Sequence, residues 1–396
     1  MKSPKDTQKQ QEDSTQDGMN QEQLGIEKED FGNNPYRRKE ERKVVIQPYD
    51  YSVKGLLDFI EEGDMLLDPS YQRNYRWDDT KAARFIESLI LNIPVPVVYL
   101  NEEGDGDYSV IDGQQRLGSL YRFVRASESE ATVPEAVQEP LILEDLKVRS
   151  DLNGKTFRDL SREDQNAILK RHIRCIAILN ESDAQLKFEV FERLNTGSAE
   201  LSDQEVRNCV YRGPLNEALK EMATNNRFQQ MISLHDDLRK KMKDVELVLR
   251  FFAYRELPDD YNEGYVEYLN EFMKQNQNLS DARLVEWKKD FERTVRLVHQ
   301  VLGAGVAFRK PRSDKGWSRL INGAIYEAQM VAFSRLPANI NPSDKTRLTK
   351  AAIAAFDNDD FLNCLFSATA QRKRAQFRSE FLTKKLQKVA KLSRPQ

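Results

Sequence analysis

The fold is decided by one stretch, VPVVYL (Val95–Leu100), the turn EEGDGD, and then YSVIDGQQRLGSL (Tyr108–Leu120). Two β-rich runs separated by a Gly/Asp turn read as a hairpin. Leu117, Leu120, Tyr121 and Val124 then recur at helical spacing directly after the second strand. Asp112, Gly113, Gln114, Gln115 and Arg116 therefore occupy a strand-to-helix junction. The Gly-Asp-Gly-Asp turn lacks the twelve-residue ligand spacing of a calcium loop and reads as a plain turn.

Upstream, Ser52 caps a helix carrying Val53, Leu56, Leu57 and Ile60, and a second helix starts at Asp78 or Asp79 with Ala82, Phe85, Ile86, Leu89 and Ile90 on one face. It ends before Pro94. Downstream, Ser161 with Asp164 and Ser182 with Gln185 form capping boxes, and IRCIAIL between them is a strand. The second of these helices stops at Asn195-Thr196-Gly197, where Gly197 suits a left-handed terminus. Ser202 with Glu205 starts another helix, which Gly213-Pro214 ends. Beyond it no strand is expected: Met242, Val245, Leu249 and Phe252, then Leu284, Trp287, Phe291 and Val298, then Trp317, Leu320, Ile321, Ala324, Ile325 and Ala328 all keep helical spacing. The expected fold class is α+β, a mixed α/β N-terminal core followed by an all-helical C-terminal domain. Expected boundaries are 1–43 for a tail, 44–212 for the core domain and 213–396 for the helices.

Composition limits the function classes. The 396 residues carry 61 Lys+Arg against 64 Asp+Glu, a formal charge of -3, with 39% hydrophobic residues. No run approaches the roughly 18 apolar residues of a membrane helix, so no membrane partner is expected. The polar start MKSPKDTQKQ offers no export signal, which makes a cytoplasmic location the expectation. Three cysteines and three histidines lie far apart, which removes disulfide scaffolds and zinc sites. His172 and Cys175 bracket a short apolar run and read as a buried strand edge rather than a Cys-His nucleophile. The first 34 residues hold five apolar residues and eight acids against four bases, a composition that does not offset ordering entropy. The last 26, from Gln371, carry nine Lys+Arg and one acid on an amphipathic pattern. That pattern suits phosphate contact and helix packing equally.

IDGQQRLGSL, residues 111–120, is a poor choice for packing and a good one for holding an anion. A strand handing over to a helix at a glycine aims backbone N–H groups and the positive helix end at one spot. Arg116 in the first turn opposes the helix dipole unless an anion intervenes, and two glutamines add amide donors and acceptors. Asp112 serves as a helix cap or as a ligand for magnesium beside a polyphosphate. Two weaker clusters accompany it. In DPSYQRNYRW (68–77), Gln72, Arg73 and Arg76 alternate with aromatics, which suits base stacking or an ordinary interface. In FERLNTG (191–197), Arg193, Asn195 and Thr196 stand where a helix yields to Gly197.

Together these segments resemble the N-terminal domain family of GmrSD-type modification-dependent restriction endonucleases, the DGQQR family related to ParB and sulfiredoxin. The matching phrases are YQRNYRW, FIESLILNIPVPVVYL, IDGQQRLGSL, FERLNTGSAELSDQEVRN and DVELVLRFFAYRE, in the family's order over roughly residues 45–260. The resemblance implies a ParB-like core and a protein that binds nucleoside triphosphates at DGQQR, hydrolysing them with a divalent metal in defence against foreign or modified DNA. It implies Asp112, Gly113, Gln114, Gln115 and Arg116 as the nucleotide loop, with Gln72 and Arg73 beside it, and Arg193, Asn195, Thr196 and Gly197 on the phosphate side. It assigns no base or metal ligand; from charge alone, Asp112 is expected to hold magnesium and Arg116 to stabilise the transferred phosphoryl group.

Two departures matter. Many members follow DGQQRL with two threonines, where this chain has Gly118 and Ser119. Longer relatives append an HNH nuclease, a setting none of the three histidines here has, so the expectation is a nucleotide-sensing part that works with DNA and a separate nuclease partner. The competing readings are a non-catalytic, nucleotide-switched binding module and a metal-dependent nuclease using Asp105, Asp107, Asp112 and Glu192.

Overall fold

The computed structural model describes residues 43–67, 77–103, 106–125, 139–194, 202–258, 264–313, 316–337, 340, 342–367 and 369–391. Gln72, Arg73, Arg76, Asp105, Asn195, Thr196, Gly197 and the expected N-terminal tail up to residue 42 lie outside the described residues, as does the side chain of Glu192. The chain divides into two compact units that meet in sequence at Arg212 and Gly213.

The first unit holds β1 (Ile46–Ser52), α1 (Val53–Glu62), β2 (Met65–Leu66), α2 (Asp79–Ile90), β3 (Val98–Glu102), β4 (Tyr108–Asp112), α3 (Gln114–Val124), α4 (Arg162–Leu169), β5 (His172–Ile178), α5 (Ala184–Leu194) and α6 (Asp203–Val210). The five strands form one mixed sheet in the order β1-β5-β3-β4-β2. β3 and β4 pair antiparallel, the expected hairpin, while β3 runs parallel to β5 and β2 parallel to β4. Although β5 and β3 lie between β1 and β4, Tyr49 of β1 meets Tyr108 of β4 edge-on at 6.4 Å, so the sheet is strongly curled. One core packs Val98, Leu100, Val110, Ile173, Cys175 and Ala177 of the strands against α1–α4.

Local chemistry explains the helix starts. Ser52, Asp78, Ser161 and Ser202 each accept a backbone N–H of the following turn. Ser182 is not the cap of α5. Ser182 instead bonds both backbone groups of Val45, and Asp183 caps α5 through the N–H of Leu186 at 3.0 Å.

The second unit holds α7 (Pro214–Ala223), α8 (Asn226–Ile232), α9 (Asp236–Lys240), α10 (Lys243–Arg255), α11 (Tyr265–Asn276), α12 (Asp281–Leu302), β6 (Arg309–Pro311), β7 (Trp317–Ile321), α13 (Gly323–Ser334), α14 (Pro342–Ile353), α15 (Asp359–Phe366) and α16 (Arg372–Lys391). It is helical as expected, with one correction: β6 and β7 form a two-stranded hairpin. Trp317, Leu320 and Ile321 satisfy helical spacing, but Trp317 and Ile321 are paired across the hairpin with Pro311 and Arg309. The buried centre joins α10, α13 and α16 through Glu327, whose two carboxylate oxygens accept from Arg250 and Arg378. Among the described residues no helix is long and apolar enough to cross a membrane.

Candidate functional site

The junction read from the sequence exists. β4 ends at Asp112, Gly113 is the N-cap of α3, and the helix begins at Gln114. Gly113 takes a left-handed φ of 105° and offers no side-chain oxygen to cap the helix. A Cβ there would stand 2.9 Å from Val98 Cγ2, so strand β3 presses on the corner and only glycine fits.

Arg116, expected to stabilise the transferred phosphoryl group, is bonded within the fold. Its guanidinium is buried: Nη2 donates to Asp112 Oδ2 at 2.7 Å, and Nη1 donates to the carbonyls of Pro96 and, at 3.0 Å, Val97. The arginine ties the start of α3 to the segment entering β3. Its side chain is 8% exposed and that of Asp112 45%, so the carboxylate, not the guanidinium, reaches solvent. The physical reason is local: residues 93–97 contain Pro94 and Pro96, form no strand, and leave carbonyls for Arg116.

The two glutamines are also placed by bonds. Gln114 Nε2 donates to the Val110 carbonyl at 2.9 Å, and Gln115 Oε1 accepts the Trp77 N–H at 3.3 Å. Trp77 is the last residue of the DPSYQRNYRW phrase, so this contact fixes the end of that phrase at the DGQQR corner. Arg122 extends the frame, donating to Asp79 at 2.8 Å and joining α3 to α2.

Arg193 stands exposed on the last turn of α5, 3.3 Å from Glu189. Lys187, in the first turn of that helix, is near Glu102, which ends β3, and Glu103, which follows it. Asp107 directly precedes β4 and Asp112 ends it, so five steps along the extended chain put them roughly 16 Å apart. They cannot share a two-metal site, whose ions stand roughly 4 Å apart. Among the described residues no group of three or more His, Cys, Asp or Glu side chains converges.

A polar layer under α5 and α6 was not foreseen. Asn101 Nδ2 donates to Glu103 at 3.1 Å, Arg212 reaches the same carboxylate at 3.2 Å, and Arg207 donates to Gln204 at 3.2 Å, with Asn101, Gln204 and Arg207 all buried. Burial pushes the Lys187 ammonium below the usual lysine range, with Glu103 and Glu102 opposing. Its signal was present: Gln204, Arg207 and Asn208 fall at helical spacing on what proves to be the buried face of α6. Cys175, across from Tyr49 on β1, is a core residue whose thiol burial pushes up to about 12.

Residues 53–212 match the family described as GmrSD restriction endonuclease, N-terminal domain. This segment is similar to the GmrSD N-terminal domain family. The family suggests a role in restriction, in defence against modified DNA. The match ends at Arg212, where the first compact unit also ends. Neither a curated protein nor a solved structure matches the chain. Within the GmrSD-like domain, the DGQQR phrase is thus the β4–α3 corner, and the FERLNTG phrase is the end of α5.

Proposed function

We propose that the GmrSD-like domain binds a nucleoside triphosphate at the β4–α3 corner and that the bound nucleotide governs restriction of foreign or modified DNA. The observation that carries the reading is the glycine-capped start of α3, held rigid by the Arg116 tie and joined through Gln115 to the end of the Tyr-Gln-Arg phrase. A helix start that brings no capping side chain of its own favours an anion there. Gln114 and Gln115 line the same turn, and Gln72, Arg73, Arg193, Asn195, Thr196 and Gly197 are proposed as its further contacts.

Asp112 fits a divalent ion held jointly with phosphates. One oxygen is bonded to Arg116 and the side chain still reaches solvent, and magnesium on a polyphosphate commonly takes only one or two protein carboxylates. Such an ion supplies charge neutralisation at the phosphates. This chain's own part is to present one oriented carboxylate, the amides of the α3 turn and a fixed backbone. Arg116 acts as a positioning residue in this scheme.

One observation favours a second reading, in which nucleotide is a ligand and not a substrate. The guanidinium expected to stabilise the transferred group is already bonded to a carboxylate and two carbonyls. A phosphate-release screen of the four ribonucleoside triphosphates with magnesium, with and without DNA, separates the two. Release lost in Asp112→Asn supports hydrolysis. Binding without release across several metals supports the switch, and absence of binding removes both.

A further inference from the structure

The charge of the chain is unevenly distributed. Residues 213–396 carry 32 Lys+Arg against 23 Asp+Glu, a formal +9, while residues 1–212 carry 29 against 41, a formal -12. A near-neutral total thus conceals one strongly basic unit, the pattern of a polyanion binder.

Part of that charge gathers where the β6–β7 hairpin meets the end of α15 and the start of α16. In the hairpin, Arg309 pairs with Ile321 and Pro311 with Trp317. Lys310 therefore faces the Ser318–Leu320 bulge, with Arg319 at its middle, and both are exposed. Like charges placed opposite each other destabilise a hairpin. Lys310 Nζ lies 4.4 Å from the Phe366 ring, and Arg374 donates to the Ser367 carbonyl, so hairpin and α16 cations surround one helix end. Among the described residues, Lys310, Arg319, Arg372 and Lys373 have no carboxylate within salt-bridge reach, as holds also for the exposed Lys274, Lys289 and Arg296 of α11 and α12; what sets the corner apart is the packing of its cations about one helix end. Phe377, 39% exposed, stands one turn after Lys373. Among the described residues, Asp357 follows the Phe356 that packs on Trp317 and is an exposed acid beside the hairpin, while Asp359 and Asp360 are at the other end of α15 and Glu380 is paired with Lys384.

We infer that this hairpin–α16 corner binds the sugar-phosphate backbone of duplex DNA. A repulsive cation pair and neighbouring unpaired cations gain from a line of phosphates, with counterion release driving the contact. The inference rests on the reading that the chain acts on DNA, and nucleotide binding is measured on the same proteins so that the two fail separately.

The experiment is fluorescence anisotropy of the full chain with a labelled 20-base-pair duplex at 50 to 200 mM salt. It compares the wild type with K310E/R319E/K373E and with K274E/K289E/R296E, a control that makes the same charge change at exposed cations of α11 and α12. If each of the three cations neutralises one phosphate, the slope of log K against log salt becomes shallower by about 2.7 in the first variant and affinity falls at least tenfold. The control changes far less, and nucleotide binding is unaltered in both. Equal losses in the two variants, an unchanged slope in the first, displacement of DNA by an equal charge concentration of polyglutamate, or no wild-type binding at 50 mM salt would each overturn the assignment.

Discussion

Replacing Arg116 by alanine separates a structural tie from a catalytic cation. The substitution removes a bond to Asp112 at 2.7 Å and two backbone bonds, to Pro96 and Val97. Asp112 is 45% exposed and rehydrates, so the ion pair itself contributes little, no more than about 1 kcal/mol. The carbonyls lose a charged donor, each bond of that kind contributing about 1.5–3 kcal/mol when buried and less here because Pro96 is exposed. Loss of the buried aliphatic stem adds to this. The expected total is about 2–3 kcal/mol. Urea unfolding followed by far-UV circular dichroism should show the transition of the GmrSD-like domain at lower denaturant by roughly 1–2 M, given slopes of about 1–3 kcal/mol per M. Arg116→Lys should recover only part, since an ammonium cannot span the carboxylate and both carbonyls in one plane. A variant within about 0.5 kcal/mol of wild type that had nevertheless lost all phosphate release would refute the tie and restore the catalytic reading.

Three further outcomes follow from the same geometry. Gly113→Ala should cost about 1–2 kcal/mol for the left-handed backbone and about 1–3 kcal/mol for the contact with Val98, read as a lower urea midpoint; an unchanged midpoint would mean the corner yields easily. Glu327→Gln leaves Arg250 and Arg378 buried without their shared counter-charge and should destabilise the helical unit by about 3–5 kcal/mol, seen as a lower melting temperature. The Cys175 thiol is raised from 9.0 to about 12, chiefly by burial and then by the charge of Asp50. Folding therefore favours its protonated form, and that stabilisation is full below about 9 and lost as pH rises from there towards about 12. At pH 8 a thiol reagent should label Cys175 only in denaturant, and rapid labelling of the native protein would contradict its burial.

Much of the fold can be read directly from the sequence where local chemistry decides it. The caps at Ser52, Ser161 and Ser202 and the β3–β4 hairpin depend on neighbouring residues, and they form as read. β1 is harder to read because Pro48 and Asp50 interrupt its apolar pattern; an edge strand paired only with β5 tolerates both. The β6–β7 hairpin escapes because Trp317, Leu320 and Ile321 fit a helix as well as a strand with a bulge. At the site, the strand–glycine–helix corner is local and readable. The role of Arg116 depends on carbonyls some twenty residues earlier that only the folded sheet brings near.

The central claim is that the β4–α3 corner holds a nucleoside triphosphate, and calorimetric titration of the full chain with each of the four ribonucleoside triphosphates and magnesium tests it most directly. At least one should bind, and Gln115→Ala, which removes the acceptor holding Trp77, should weaken that binding about tenfold, or about 1.4 kcal/mol, with the fold retained. No heat of binding from any of the four, or equal affinity in wild type and variant, would contradict it.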